Sequence, residues 1–306
     1  MRIAAVDLVS NTCFPALAAA ELGFYDAEGL KAEIELVPML GATKALRAGA
    51  ADAMIAGSVH DLLTEFPGWE GVKILVALSQ GTPWLLVVRA DLAAKRGDIH
   101  AVRGLRLTAA EGPDLALRRM LAEARIDPDR DLQIVELPGA KARDVSFGVF
   151  AARALEAGQI DGFWANAMGS ETAVSRGVGK ILIDVRRGDD PGAVRRFTFA
   201  GLATTDALIE REPETAAAAI RAIVKTQKAL RANPQLAGDV GRRKFPNEAA
   251  ELITKIVERD LPFYDPVVYE EAVAGLNRFA QSVGHLPGPV AYERVVAVRF
   301  RNLWRS

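Results

Sequence analysis

Small polar residues follow three of the predicted strands, at positions suited to holding a small molecule by hydrogen bonds. They are Ser10, Asn11, Thr12, Gly41, Ser58 and His60, with Gln80 at the end of a fourth strand. In an open α/β sheet, strand ends and helix starts converge on one edge, where unpaired backbone amides meet a ligand. Hydroxyl, amide and imidazole groups at that edge would orient a bound solute. Each of them is equally suited to capping its own helix.

The second half of the chain offers a second set. Glu111 and Asp114 stand at a predicted helix start, where they offset the helix dipole and disfavour a bare anion. Trp164 could stack on a flat ring while Asn166 binds its edge; alternatively, Trp164 packs beneath the next helix. Phe199, from a later strand, would close the pocket. Together these residues predict a small, flat, nitrogen-containing or aromatic ligand.

Signatures of catalysis and of phosphate binding are absent from the sequence. It contains no G-x-G-x-x-G after a strand, no P-loop, no H-E-x-x-H and no G-x-S-x-G. The histidines His60, His100 and His285 are far apart in sequence, and the single cysteine, Cys13, excludes an internal disulfide and a multi-cysteine metal site. We therefore predict no catalytic residue, no metal and no cofactor, and expect Cys13 to be buried or to line the cleft.

Alternating strands and helices must position these residues. Hydrophobic periodicity predicts strands at 2–8, 31–37, 52–56, 72–79 and 84–89, with helices between the first four. A second series has strands at 105–108, 132–137 and 160–164 and helices at 115–124 and 145–157, followed by a strand at 197–204. Helices are then predicted from 213, at 247–259, at 266–283 and from about 292. The turn at 156–162 echoes the turn at 47–53, which predicts two domains of similar design.

Composition bounds the function. The 306 residues are half apolar and a quarter charged, as in soluble globular proteins of one or two domains. A net charge of −1 gives no support for nucleic-acid or anionic-membrane binding. No apolar run approaches the roughly 18 residues of a membrane span. Since Met1 leads directly into a strand, we expect a cytoplasmic protein, or a periplasmic or membrane-associated one whose export signal was removed.

Six short motifs occur in the same order as in one known family of proteins. They are Phe14-Pro15, Gly23-Phe24-Tyr25, Glu28-Gly29-Leu30, Ala45-Leu46-x-x-Gly49-x-x-Asp52, Gly104-Leu105-Arg106 and Gly158-Gln159-Ile160-Asp161. Over roughly residues 3–235 this pattern resembles the substrate-binding proteins of nitrate, sulfonate and thiamin-pyrimidine ABC transporters, the NMT1/SsuA-like family. The resemblance implies the two-lobed type II periplasmic binding protein fold, an α/β fold. Lobe I would be 1–88 plus 196–306 and lobe II 89–195, with hinge crossings near 82–89 and 188–196.

The same resemblance implies a function. It is that of a non-catalytic, monomeric protein that closes two lobes around a small molecule and docks on an ABC permease. The alternative is a cytoplasmic enzyme on the same fold, of pyrimidine or menaquinone biosynthesis or a decarboxylase. His60 resembles in position the histidine that the yeast-type pyrimidine-forming enzyme consumes. The cysteine-rich iron motif of that enzyme would fall near 197–205, where this chain has no cysteine.

Overall fold

The chain folds into two compact units, each described here by itself. The structure is a computed structural model, and it describes residues 1–38, 40–141 and 146–305. Unit 1 consists of Met1–Gly81 and the chain from Phe197 onward, and unit 2 consists of Thr82–Arg196. The chain therefore passes from unit 1 to unit 2 and back again.

Strands and helices alternate through most of the chain. Within the described ranges the strands are β1 (Arg2–Ala5), β2 (Glu33–Leu36), β3 (Ala53–Ala56), β4 (Val72–Ser79), β5 (Leu85–Arg89), β6 (Arg106–Ala109), β7 (Gln133–Ile134), β8 (Gly162–Ala165), β9 (Gly179–Asp184) and β10 (Ala200–Thr205). The helices are α1 (Phe14–Glu21), α2 (Phe24–Ala27), α3 (Gly41–Arg47), α4 (Pro113–Glu123), α5 (Phe147–Glu156), α6 (Ala167–Ser175), α7 (Asp206–Arg211), α8 (Pro213–Ala232), α9 (Gln235–Lys244), α10 (Asn247–Asp260), α11 (Glu270–Ser282) and α12 (Tyr292–Val295).

Both units are built on a five-stranded mixed sheet with the same plan. The strand order is β2-β1-β3-β10-β4 in unit 1 and β7-β6-β8-β5-β9 in unit 2. The first three strands of each sheet are parallel, and the fourth runs antiparallel to both of its neighbours. That inserted strand comes from beyond a chain crossing: β10 returns to unit 1, and β5 is the first strand of unit 2. The predicted α/β class is confirmed.

An arginine and an aspartate join the second and third strands of each sheet, β1 to β3 and β6 to β8. The amide of Arg2 donates to Asp52 Oδ2 at 2.7 Å, and the amide of Asp52 donates to the carbonyl of Arg2 at 2.9 Å. In unit 2, Arg106 and Asp161 repeat both bonds at 2.9 and 2.8 Å. The glycine three residues before each aspartate has φ +70° or +69°, a left-handed conformation that favours glycine. The sequence echo is therefore one repeated backbone arrangement.

Apolar faces of the helices cover the sheets. α8 begins at Pro213, which needs no intrahelical partner for its nitrogen, and it packs against α1, α2 and the final 3₁₀ segment Val298–Arg305. Its buried side chains include Ile220, Ile223 and Val224. In unit 2, α5 and α6 pack together and cover β8 and β9. Among the described residues, no helix has the length and apolar content needed to cross a bilayer.

Some predicted bounds were wrong for local reasons. β1 ends at Ala5, short of the predicted residue 8, because Asp7 Oδ1 accepts the amide of Val9 at 2.9 Å and turns the chain away. β7 is reduced to Gln133–Ile134. The helix predicted between β3 and β4 is a pair of 3₁₀ helices, Val59–Thr64 and Pro67–Trp69.

Other bounds shift toward the C-terminus. β10 begins at Ala200, three residues after the predicted start at 197. α11 begins at Glu270, after the predicted residue 266; the residues just before it form no helix, and the carbonyls of Asp265 and Val267 accept the side chain of Gln80. The helix predicted from Val145 is observed from Phe147; Val145 itself lies outside the described residues.

Candidate functional site

The loop that follows β1, residues 6–13, carries three of the predicted ligand contacts, and all three are buried. Ser10 Oγ and Thr12 Oγ1 lie 2.9 Å apart and share a hydrogen bond. The carboxamide nitrogen of Asn11 donates to Asp260 Oδ2, and the backbone oxygen of Asn11 accepts the hydroxyl of Tyr264 at 2.6 Å. The fold therefore ties this loop to residues about 250 positions later in the sequence.

A second cluster forms around His60, at the start of the 3₁₀ helix that follows β3. The carboxylate of Asp61 accepts the hydroxyl of Ser58 on one oxygen and lies 3.3 Å from His60 Nε2 on the other. The imidazole of His60 is fully buried and meets the ring of Phe279 edge to face at 5.1 Å. Asp61 thus brings Ser58 and His60 together, with the carboxylate between hydroxyl and imidazole.

His285 interacts electrostatically with His60 and Asp61 of this cluster, although it is 225 positions from His60 in the sequence. Burial lowers the pKa of His285, the neighbouring His60 lowers it further, and Asp61 opposes the shift. Two histidines that are remote in sequence therefore share one region of unit 1. Among the described residues, no group of three or more His, Cys, Asp and Glu side chains has an arrangement that could hold a metal ion.

Three further predicted contacts of unit 1 occupy different surroundings. Gly41 is the first residue of α3, and a side chain there would press against Val37. Gln80 donates to the carbonyls of Asp265 and Val267 at 2.8 and 2.7 Å. Phe199 is buried, and its carbonyl accepts the amide of Val59 at 3.1 Å, which places Phe199 beside the His60 helix.

Residues of the C-terminal region support several predicted contacts, and sequence reasoning singled out none of these supports. The segment 260–267, which we call the brace, binds the Asn11 loop through Asp260 and Tyr264 and binds Gln80 through its carbonyls. Phe279 of α11 supports His60. The sequence offers one faint signal of this role, since an aspartate that ends a helix opposes the helix dipole.

In unit 2, Trp164 is joined to the start of α4. Its indole Nε1 donates to the carbonyl of Pro113 at 3.1 Å, and its ring lies 5.9 Å from that of Trp84. Trp164 is fully buried and Trp84 is nearly so. Asn166 caps α6 by accepting the amide of Gly169 at 3.3 Å. Trp164 and the α4 start, which carries Asp114, are thus brought together.

The acidic residues near α4 have basic neighbours. Lys141 Nζ lies 3.3 Å from Glu111, which is more than half exposed, and Arg118 lies 3.8 Å from Asp114. Asp114 also accepts the amide of Gly112 at 3.0 Å. The negative charges of Glu111 and Asp114 are each offset by a nearby cation, Lys141 and Arg118 respectively. The assignment of all twelve residues to a ligand site stays a prediction.

A family model described as NMT1/THI5 like matches residues 11–237. Among curated proteins, the chain is 26% identical over 228 residues to the nitrate import ATP-binding protein NrtC of Synechocystis sp.. That match takes in 65% of this chain and 32% of NrtC, so the chain spans about a third of its relative's length.

Solved structures share the fold over nearly the whole chain. The periplasmic nitrate-binding protein NrtA from Synechocystis PCC 6803 has a TM-score of 0.70 at 15% identity, over 99% of this chain and 86% of NrtA. The periplasmic aliphatic sulphonate binding protein SsuA from Escherichia coli has a TM-score of 0.70 at 14% identity, over 97% of this chain and 91% of SsuA. The desulfurization enzyme DSZB has a TM-score of 0.68 at 17% identity, over 99% of this chain and 98% of DSZB. These likenesses establish the two-lobed periplasmic binding protein fold.

Proposed function

This chain belongs to the NMT1/THI5-like family, and we propose that it is the solute-binding protein of an ABC import system. The family match over residues 11–237 carries the proposal, because it takes in nearly all of the predicted ligand contacts of both units. The relative's name, an import ATP-binding protein, supports an import ATPase as a partner, and the family resemblance adds an ABC permease. The printed names of NrtA and SsuA, both periplasmic, support an extracytoplasmic location for this chain. The closure of two lobes on the solute is the motion that the family resemblance implies.

For the ligand, we propose a small, flat, nitrogen-containing or aromatic compound. The proposal rests on the residue types at the end of β8, an indole suited to stacking on a flat ring and an amide suited to bonding its edge. In the structure, Trp164 is buried against Trp84 and Asn166 caps α6. A positive charge on the ligand has weaker support, because Lys141 and Arg118 balance Glu111 and Asp114.

Calorimetry with nitrate, ethanesulfonate and the pyrimidine moiety of thiamin tests both parts. We expect the pyrimidine to bind most tightly. Glu111→Gln should weaken the binding of this amine-bearing probe by about twofold to fivefold, as for one partly exposed charge interaction. Glu136→Gln is the matched control, because Glu136 also faces Lys141, at 3.7 Å, and is far more exposed.

The possible results separate the two parts. If ethanesulfonate binds best, the proposal of a flat ligand is wrong and the import function stands. If nitrate binds best, the flat, nitrogen-containing class stands, whereas the aromatic ring and the amine are ruled out. If none of the three probes binds while mass spectrometry finds a carried-through solute that is neither flat and nitrogen-containing nor aromatic, the ligand class is again wrong. If no solute binds and a turnover assay succeeds, the import function itself fails.

The fold of DSZB makes an enzyme the second candidate, and Cys13 is the residue to weigh. Its thiol is buried, and burial raises its pKa to about 12, with a smaller contribution from Asp7. A thiol with such a pKa is protonated near neutral pH, whereas a nucleophilic cysteine needs the thiolate. The environment of Cys13 therefore favours a structural thiol.

A further inference from the structure

We propose that Asp260, the last residue of α10, is a positioning residue for the ligand site. It holds the carboxamide of Asn11 and so fixes the loop at 6–13, which carries Ser10 and Thr12. The inference rests on the proposed function, since these three residues are among its predicted ligand contacts.

The contacts of Asp260 use both of its carboxylate oxygens. Oδ2 accepts the carboxamide nitrogen of Asn11, and Oδ1 accepts Nε of Arg259 at 3.2 Å. Tyr264, one turn later, donates its hydroxyl to the backbone oxygen of Asn11 at 2.6 Å. Asp260, Tyr264 and Asn11 are all buried. The loop is therefore held at both its side chain and its backbone by one short segment.

The position of Asp260 is costly for stability alone. A carboxylate at the C-terminal end of a helix opposes the helix dipole, and a buried acid must be compensated by partners. A neutral residue would end α10 at lower cost. What the carboxylate adds is directional: it accepts from Asn11 and Arg259 at once, which fixes the orientation of the Asn11 amide.

The brace extends this role to a second strand end. The backbone amide of Gln80 donates to the carbonyl of Phe263 at 2.8 Å, and the side chain of Gln80 binds two further carbonyls of the brace. The loop after β1 and the end of β4 are thus both hydrogen-bonded to the eight residues of the brace. A displacement of the brace would therefore move the contacts of both Asn11 and Gln80.

Hydrogen-bond chemistry dictates an informative set of variants. In Asp260→Asn, one carboxamide must satisfy two donors, so either Asn11 or Arg259 faces an NH₂ group. In Asn11→Asp, two carboxylates face each other. The double variant Asn11→Asp with Asp260→Asn exchanges the two groups. The carboxamide then at position 260 can donate to the carboxylate at position 11 and accept from Arg259, so the 11–260 and 259–260 hydrogen bonds are both restored.

The test measures hydrogen exchange of the unliganded protein over residues 6–14 and, separately, calorimetric affinity for nitrate, ethanesulfonate and the thiamin pyrimidine. Each single variant should speed hydrogen exchange in the loop by about tenfold. It should also lower the affinity for the probe that binds by about tenfold, the effect of losing one charge-assisted hydrogen bond. The exchanged pair should recover most of both losses. Asp239→Asn, an exposed carboxylate of α9, is the control and should change neither.

Rescue is the readout that a merely structural role would not give. If Asp260→Asn leaves loop exchange unchanged, or if the exchanged pair is no better than the single variants, the proposal is overturned. If loop exchange follows the prediction but affinity for the bound probe does not, Asp260 orders the loop without positioning the site, and the proposal again fails. If the wild-type chain binds none of the three probes, affinity is measured with the solute that mass spectrometry finds in the purified protein, and the same criteria of loop exchange, affinity and rescue decide the role of Asp260.

Discussion

The two sheets carry the same Arg–Asp arrangement at their second and third strands, but the arginine makes more side-chain bonds in unit 2 than in unit 1. In unit 2, Arg106 meets Asp161 with two side-chain bonds, at 3.0 and 3.1 Å, and also binds the carbonyls of residues 158 and 159. In unit 1, Arg2 Nη2 lies 3.5 Å from Asp52 and binds one carbonyl, that of residue 49. A repeated motif thus fixes the backbone in both sheets while the side chains add a second layer of bonding in one.

The additional hydrogen bonds in unit 2 also affect the pKa of its aspartate, Asp161. Hydrogen bonds from Arg106 lower the pKa of Asp161, and Arg89, at 3.8 Å, adds to the effect. The aspartate of unit 2 is also the less exposed of the pair. The comparison teaches that a short sequence echo encodes strand pairing, and that its contribution to stability depends on the surrounding side chains.

The largest change in stability should come from substituting the residue that follows each aspartate, Gly162 in unit 2 and Ala53 in unit 1. A methyl group at Gly162 would lie 2.6 Å from the carbonyl oxygen of Val87 and 2.9 Å from Leu107, so Gly162→Ala should destabilise unit 2 by about 2–3 kcal/mol. The equivalent position in unit 1 is Ala53, where Ala53→Gly should cost about 1 kcal/mol. Hydrogen exchange resolved by unit measures both changes. Equal losses in the two units would contradict the comparison.

Removing the aspartates should give an intermediate effect. Asp161→Ala deletes two strong side-chain bonds and a backbone contact, and we expect a loss of about 2 kcal/mol in the stability of unit 2. Asp52→Ala deletes the backbone contact and a longer ion pair, for a loss of about 1 kcal/mol in unit 1. Denaturant unfolding, followed by exchange in each unit, is the measurement. A larger loss for Asp52→Ala would reverse the ranking.

Acid should produce the smallest difference, because a protonated Asp161 still accepts a hydrogen bond. Its folded pKa lies below the ordinary value near 3.8, so its contribution to stability is full above that value and is lost as the pH falls through the folded pKa. Unit 2 should therefore lose stability below about pH 4 through this residue. In Asp161→Asn that part of the pH dependence should disappear from thermal unfolding curves, with Asp52→Asn as the control.

Much of the fold was predictable because its determinants are local. The periodicity of strands 52–56 and 72–79 and the glycine turns at 49 and 158 are written in a few neighbouring residues. Bounds failed where one side chain intervened, as Asp7 does at the end of β1. The inserted strands β10 and β5 could not be placed from periodicity, because their neighbours in the sheet are remote along the chain.

The candidate site was less predictable. The polar strand ends were evident, and so was the alternative in which Trp164 packs beneath a helix. Their partners were not evident: Asp260 lies more than 200 positions from Asn11, and Phe279 lies more than 200 positions from His60. Nothing in the local sequence marks the side chain that will meet Asn11 or His60.

The sequence by itself determined the order of strands and helices, the α/β class and the aspartate at the start of each third strand, since hydrogen bonds and hydrophobic periodicity act over a few residues. Only the tertiary structure decided which side chains surround the predicted contacts. Asn11 and Gln80 meet the brace, and Trp84 meets Trp164, because packing brings remote segments together. Those partners depend on the whole fold, and no window of sequence contains them.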